Sequence, residues 1–147
     1  MAHGNQPAGR RTAGWMILGL AALLQGCAQS PPPAPAARLF ASDLSGSAKA
    51  CDVGKVSPAA GQTAPVTMKL GNDGGWCAIT VNDGGKPFAA GLLSAPPAHG
   101  KVLIHTVGDD TRIDYTPQTQ FTGPDSFSVQ LLPGSATLNV SVTVTGR

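Results

Sequence analysis

From about residue 51 onward the chain alternates apolar and polar positions. Val66, Met68 and Leu70 are separated by Thr67 and Lys69, and Cys77, Ile79 and Val81 by Ala78 and Thr80. Ile113 and Tyr115 alternate with Arg112, Asp114 and Thr116, and Phe127, Val129 and Leu131 with Ser128 and Gln130. The longest run places Leu138, Val140, Val142 and Val144 between Asn139, Ser141 and Thr143. Successive side chains of a strand point to opposite faces, so each segment predicts a strand with one buried face and one wet face. Residues 101–107 are more uniformly apolar and predict a central strand, and residues 88–93 predict a further strand loosened by Gly91. Asn72-Asp73-Gly74-Gly75 and Asn82-Asp83-Gly84-Gly85 bracket residues 76–81 with residues that tolerate positive φ, as hairpin turns require. Gly108-Asp109-Asp110 and Pro133-Gly134 predict two more turns.

Composition supports an all-β reading. All 8 acidic residues are Asp, and 19 Gly and 13 Pro supply turn formers. Glu, a favoured residue of exposed helix faces, is absent. About seven strands patterned for two sheets in a domain of roughly a hundred residues predict an immunoglobulin-like β-sandwich. Residues 51–147 form this single domain, small enough for a cross-link to matter.

The chain begins differently. Arg10 and Arg11 precede an apolar run through Leu24 that is shorter than the roughly 20 residues a membrane-spanning helix needs. Leu24-Gln25-Gly26-Cys27 then closes the segment. It resembles the lipobox of bacterial lipoproteins, although Gln25 is bulkier than that motif's usual residue. The resemblance implies a signal peptide over residues 1–26 and a lipid (diacylglycerol, palmitate) on the Cys27 thiol. It further implies attachment to the membrane of the bacterial cell envelope. Ala28, in place of Asp after the cysteine, implies the outer membrane, facing periplasm or surface. Residues 27–50 then read as a Pro/Ala/Ser-rich tether, opening with Pro31-Pro32-Pro33-Ala34-Pro35. Leu39 and Phe40 are its apolar exceptions, either a docking point on the domain or two apolar residues in a linker.

Loss of the leader also removes Arg10 and Arg11, bringing the formal charge from +2 to zero. A neutral domain without basic clusters lacks the phosphate-neutralising surface that nucleic-acid binding needs. With Cys27 acylated, Cys51 and Cys77 remain as a pair and predict a disulfide in an oxidising periplasm.

The second half carries a family resemblance. Pro97-Ala98-His99-Gly100-Lys101-Val102, Asp114-Tyr115-Thr116-Pro117 and Phe121-Thr122-Gly123-Pro124-Asp125-Ser126-Phe127 precede a closing alternating strand. Together they resemble the Ig-like and cadherin-like repeats of bacterial surface proteins. The motif residues themselves have structural uses. Tyr115 can bury its ring while its hydroxyl reaches a backbone group, and the Asp125 carboxylate can accept loop N–H bonds. Phe121 and Phe127 would plug one end of the sandwich.

Candidate chemistry is sparse. Asp73, Asp83, Asp109, Asp110 and Asp125 are the residues a calcium site would draw on, but their spacing lacks the ligand alternation of a calcium loop. His99 and His105 have no nucleophile motif beside them. The expectation is therefore no catalytic, metal or cofactor-binding residues, and a noncatalytic binding or accessory module for an envelope protein or glycan. A periplasmic enzyme inhibitor or a subunit of a secretion or surface assembly is the alternative. Trp76 is next to Cys77 and so faces outward if Cys77 faces the core. It is either a partner contact or an aromatic covered by a loop or by the tether.

Overall fold

The computed structural model describes residues 40–147, so the leader, Cys27 and the Pro-rich run lie outside the described residues. Eight strands follow a short 3-10 turn at Ala41–Leu44: β1 (Cys51–Val53), β2 (Thr63–Gly71), β3 (Cys77–Val81), β4 (Ala90–Ala95), β5 (Gly100–Val107), β6 (Asp110–Pro117), β7 (Gly123–Leu132) and β8 (Ala136–Thr145). They form a five-stranded sheet in the order β1-β2-β8-β7-β4 and a three-stranded sheet in the order β3-β6-β5. Strands β2 and β8 run parallel, and the other pairs are antiparallel.

The alternating residues meet between the sheets. Val66, Met68 and Leu70 of β2 lie in register with Val140, Val142 and Val144 of β8. Phe127, Val129 and Leu131 of β7 face Val140, Leu138 and Ala136 of β8. Cys77, Ile79, Ile113 and Tyr115 close the core from the opposite sheet, and all of these side chains are buried. The rings of Tyr115 and Phe127 stack across the sandwich with centroids 5.7 Å apart.

Three sequence expectations change. Residues 101–107 form an edge strand rather than a central one, and Leu103 is exposed. The centre of the smaller sheet is β6, and its polar positions are not all wet: Arg112 is 8 % exposed and Asp114 is 4 %. Alternation within one strand reports two different faces, but not what covers each of them. The two Asn-Asp-Gly-Gly segments are not hairpins. They carry the chain from β2 to β3 and from β3 to β4, each time between sheets. Positive φ is nevertheless required there, at Gly74, Gly84 and Gly85. Gly108-Asp109 does turn β5 into β6, and Pro133-Gly134 lies in the β7–β8 hairpin. The additional strand, β1, is three residues long and too short to show a period.

Cys51 of β1 and Cys77 of β3 form the expected disulfide, with Cα atoms 5.4 Å apart. It ties the edge of the larger sheet to the edge of the smaller. The sequence separation is 26 residues, and closing such a loop restricts the unfolded chain enough to stabilise the fold by about 3–4 kcal/mol. Reduction, or Cys51→Ser, is therefore expected to lower the unfolding free energy by that amount, read as an earlier midpoint of chemical unfolding, without abolishing strand structure.

Gly100 begins β5 directly beneath Tyr115. A Cβ there would fall onto the tyrosine ring atoms Cε2 and Cζ. Gly100→Ala is expected to destabilise the domain by about 1–3 kcal/mol, the usual cost of overpacking, as read from thermal unfolding.

Candidate functional site

Two polar clusters hold Asp125, Tyr115, His99 and His105, four of the ionisable groups that the sequence singles out. The first sits where β6 and β7 meet the loop before β5. Asp125 accepts the Tyr115 hydroxyl at 2.8 Å, the backbone N–H groups of His99 and Ser126 at 2.9 Å, and that of Ala98 at 3.0 Å. The expected roles are therefore met, with one addition: the tyrosine hydroxyl does reach a backbone group, the His99 carbonyl at 3.5 Å, but its shorter bond, at 2.8 Å, is to this carboxylate. Partial burial pushes the Asp125 carboxyl up, but the Tyr115 hydroxyl and the three N–H donors outweigh it and hold the group below the usual carboxylate range. Burial, followed by the bond to Asp125, pushes the Tyr115 hydroxyl well above its ordinary value. His99 stacks on Phe121 with ring centroids 4.2 Å apart. Phe121 is thereby half-buried, while Phe127 is in the core.

These shifts have defined consequences for stability. Asp125 titrates lower in the folded than in the unfolded chain, where Asp is near 3.9, so its contribution is present above about pH 4 and lost as pH falls through the folded value. Tyr115 resists ionisation in the fold, so stability also declines once pH rises beyond about 10, where the unfolded side chain ionises. Asp125→Ala is expected to cost about 2–3 kcal/mol at neutral pH, because it strands donors that now bond a charged acceptor. Asp125→Asn should flatten part of the acid limb of a stability-versus-pH curve, and Tyr115→Phe part of the alkaline limb.

The second cluster occupies the outer face of the three-stranded sheet. Arg112 and Asp114 sit two residues apart on β6, hence on one face. Arg112 Nη2 donates to Asp114 Oδ2 at 3.0 Å, and Arg112 Nε lies 2.9 Å from Asp114 Oδ1. His105, on the neighbouring strand β5, places Nε2 3.0 Å from Asp114 Oδ2. On the other side the guanidinium lies over the Trp76 ring, 4.2 Å from its centroid.

Residues 40–48 cover this cluster. The second Arg112 Nη donates to the Asp43 carbonyl. The Trp76 indole N–H donates to the Ser45 carbonyl at 3.2 Å. Ser47 and Trp76 form a parallel β-bridge: the Trp76 N–H donates to the Gly46 carbonyl at 3.0 Å, and the Ala48 N–H to the Trp76 carbonyl at 2.8 Å. Asp73 finishes the segment by accepting the N–H groups of Lys49 and Gly75, each at 3.0 Å. Those two bonds hold its carboxyl below the usual range.

Trp76 does face away from the core, but it is half-buried beneath this segment rather than free to meet a partner. The last part of the stretch whose composition reads as a tether is the cover. Phe40 itself remains exposed. The fold leaves His99 and His105 in separate clusters, and Asp73 and Asp125 each hold local backbone groups. Asp110 accepts the side-chain amide of Asn82 at 2.8 Å. Among the described residues no three His, Cys, Asp or Glu side chains converge as a metal site. Sequence reasoning passed over Arg112 and Asp114 as wet positions. The available signal was two opposite charges at i and i+2 on one strand face. The covering segment gave none, because it is held chiefly through its main chain.

Two unequal sheets packed face to face, one parallel pair, β2–β8, inside the larger sheet and a polar corner at Tyr115 define an immunoglobulin-like sandwich. Residues 48–145 match the family described as bacterial Ig domain, and the chain belongs to that family. Such domains are typical of cell-surface and envelope proteins and are generally noncatalytic. No match was found among curated proteins.

Proposed function

We propose that this protein is a lipid-anchored, noncatalytic binding module of the bacterial envelope, held by Cys27 and presented on a Pro-rich tether. The observation that carries the reading is the coupling of Leu24-Gln25-Gly26-Cys27 to a bacterial Ig domain in one chain. The lipid fixes position, and the tether sets reach at about 3.1 Å per residue where it is extended. Presentation is then the mechanism: a rigid sandwich offers its faces and edges to a neighbouring envelope protein or glycan. The side chains that could do chemistry instead hold the framework, as Asp125 does with four donors. The absence of Asp after Cys27 favours the outer membrane.

Mass spectrometry of the intact mature protein tests the anchor. The expected mass begins at Cys27 and includes its acyl chains, and Cys27→Ser should release the protein from the membrane fraction. A mature protein without acyl mass overturns the anchoring. Crosslinking in the native envelope tests the module and should capture a discrete partner. An envelope in which the chain crosslinks to nothing, or a purified chain that turns over a substrate, overturns the binding reading.

A further inference from the structure

The outer face of the three-stranded sheet is built like a receptor, and its occupant is the chain itself. Buried charges normally require both partnering and cover. Here Asp114 Oδ2 is bonded by Arg112 and His105, its buried Oδ1 has the Arg112 Nε beside it but no hydrogen bond, and Arg112 still needs an acceptor and finds one in the Asp43 main-chain carbonyl. Each further bond to the covering segment from Trp76 likewise uses main-chain groups: the carbonyls of Ser45 and Gly46 and the N–H of Ala48. The seat is shaped for a close main chain. A Cβ at Gly75 would lie 2.6 Å from the Ala48 Cα, and Gly46 takes φ +84° beside the indole. The occupant's small residues, Ser45-Gly46-Ser47-Ala48, allow that approach.

We infer that the Trp76–Arg112 seat, with the adjoining edge of β3, is a peptide-binding site for an extended, small-residue polypeptide segment, and that residues 43–48 occupy it in cis. Recognition is strand addition at an edge, with main-chain bonds supplying affinity. The Arg112 fork and the indole N–H add two fixed donors for carbonyl oxygens of the incoming chain. A partner's segment gains the site by displacing the resident one. This deepens the binding-module reading and rests on it for its biological meaning.

Intramolecular linkage gives the resident segment an effective concentration of about millimolar, so a free peptide competes poorly with it. The test therefore undocks the segment from its own side. In the full chain, Gly46→Val and Ala48→Pro remove the positive-φ residue and the N–H that bonds Trp76, leaving the seat untouched. A synthetic peptide of residues 40–49 is titrated in, following the indole N–H resonance of Trp76. Saturable binding is expected, at least tenfold tighter than to the unsubstituted chain, and adding Gly75→Ala should abolish it. No binding to the undocked chain, equal binding to the unsubstituted chain, or indifference to Gly75→Ala overturns the proposal.

If the double variant loses its dispersed amide spectrum, hydrogen exchange on the unsubstituted protein decides. The Ala48 and Trp76 amides should exchange at least a hundredfold faster than those of Ile79 and Ile113. Exchange at the core rate makes the segment an integral strand and overturns the site. Peptide binding without any envelope partner would leave the seat standing and remove the module reading. Envelope partners without peptide binding would do the reverse.

Discussion

Strand β6 is buried on both faces, and much of the polar organisation of the domain follows from that constraint. Its inner face contributes Ile113 and Tyr115 to the core, while its outer face carries Arg112 and Asp114, which are almost as inaccessible. A strand with no wet face must provide for every polar atom it carries. The tyrosine hydroxyl meets this need through Asp125, which in turn gathers the loop before β5. The ion pair meets it through His105, the Trp76 ring and the Asp43 carbonyl for every atom but Asp114 Oδ1, which has only the charge of the Arg112 Nε 2.9 Å away. Both polar clusters are thus anchored on the same central strand.

The two clusters differ in how firmly they are built. Asp125 is held by donors within the sandwich, between elements already fixed by the packing of Phe127 and Tyr115. The outer cluster depends on residues outside the sheets. A buried ion pair adds little net stability once desolvation is counted, yet leaving one member unpartnered is costly. Arg112 therefore ties the covering segment to the sheet without making that segment part of the hydrophobic core. Alone among residues 40–48, Ala48 is buried. This combination of polar attachment and slight apolar burial is what makes the segment exchangeable.

Placement gives the outer face its meaning for function. The covering segment runs directly into Cys51, and the disulfide to Cys77 pins the chain one residue beyond Trp76. The route from the N-terminal region into the domain therefore passes across the Trp76–Arg112 seat. A segment drawn away from that seat uncovers it while the disulfide keeps the sandwich closed. Anchoring and recognition would then share the same stretch of chain.

Much of the framework was legible in the sequence. Residues 66–70, 77–81, 127–131 and 138–144 alternate cleanly because one face of each meets the core, and this local period is a property of the chain alone. Cys51 and Cys77 were legible as a pair by parity, and Tyr115 and Asp125 by their family motif. Tertiary structure alone decided which strand is central, since residues 101–107 are apolar yet lie at an edge while β6 is charged yet lies at the centre. It also turned two glycine-rich segments into crossings between sheets and laid residues 40–48 over Trp76. The physical reason is common to all of these. A strand's period records that its two faces differ, whereas the cover on each face comes from chain remote in sequence, attached here by main-chain groups that every residue type possesses.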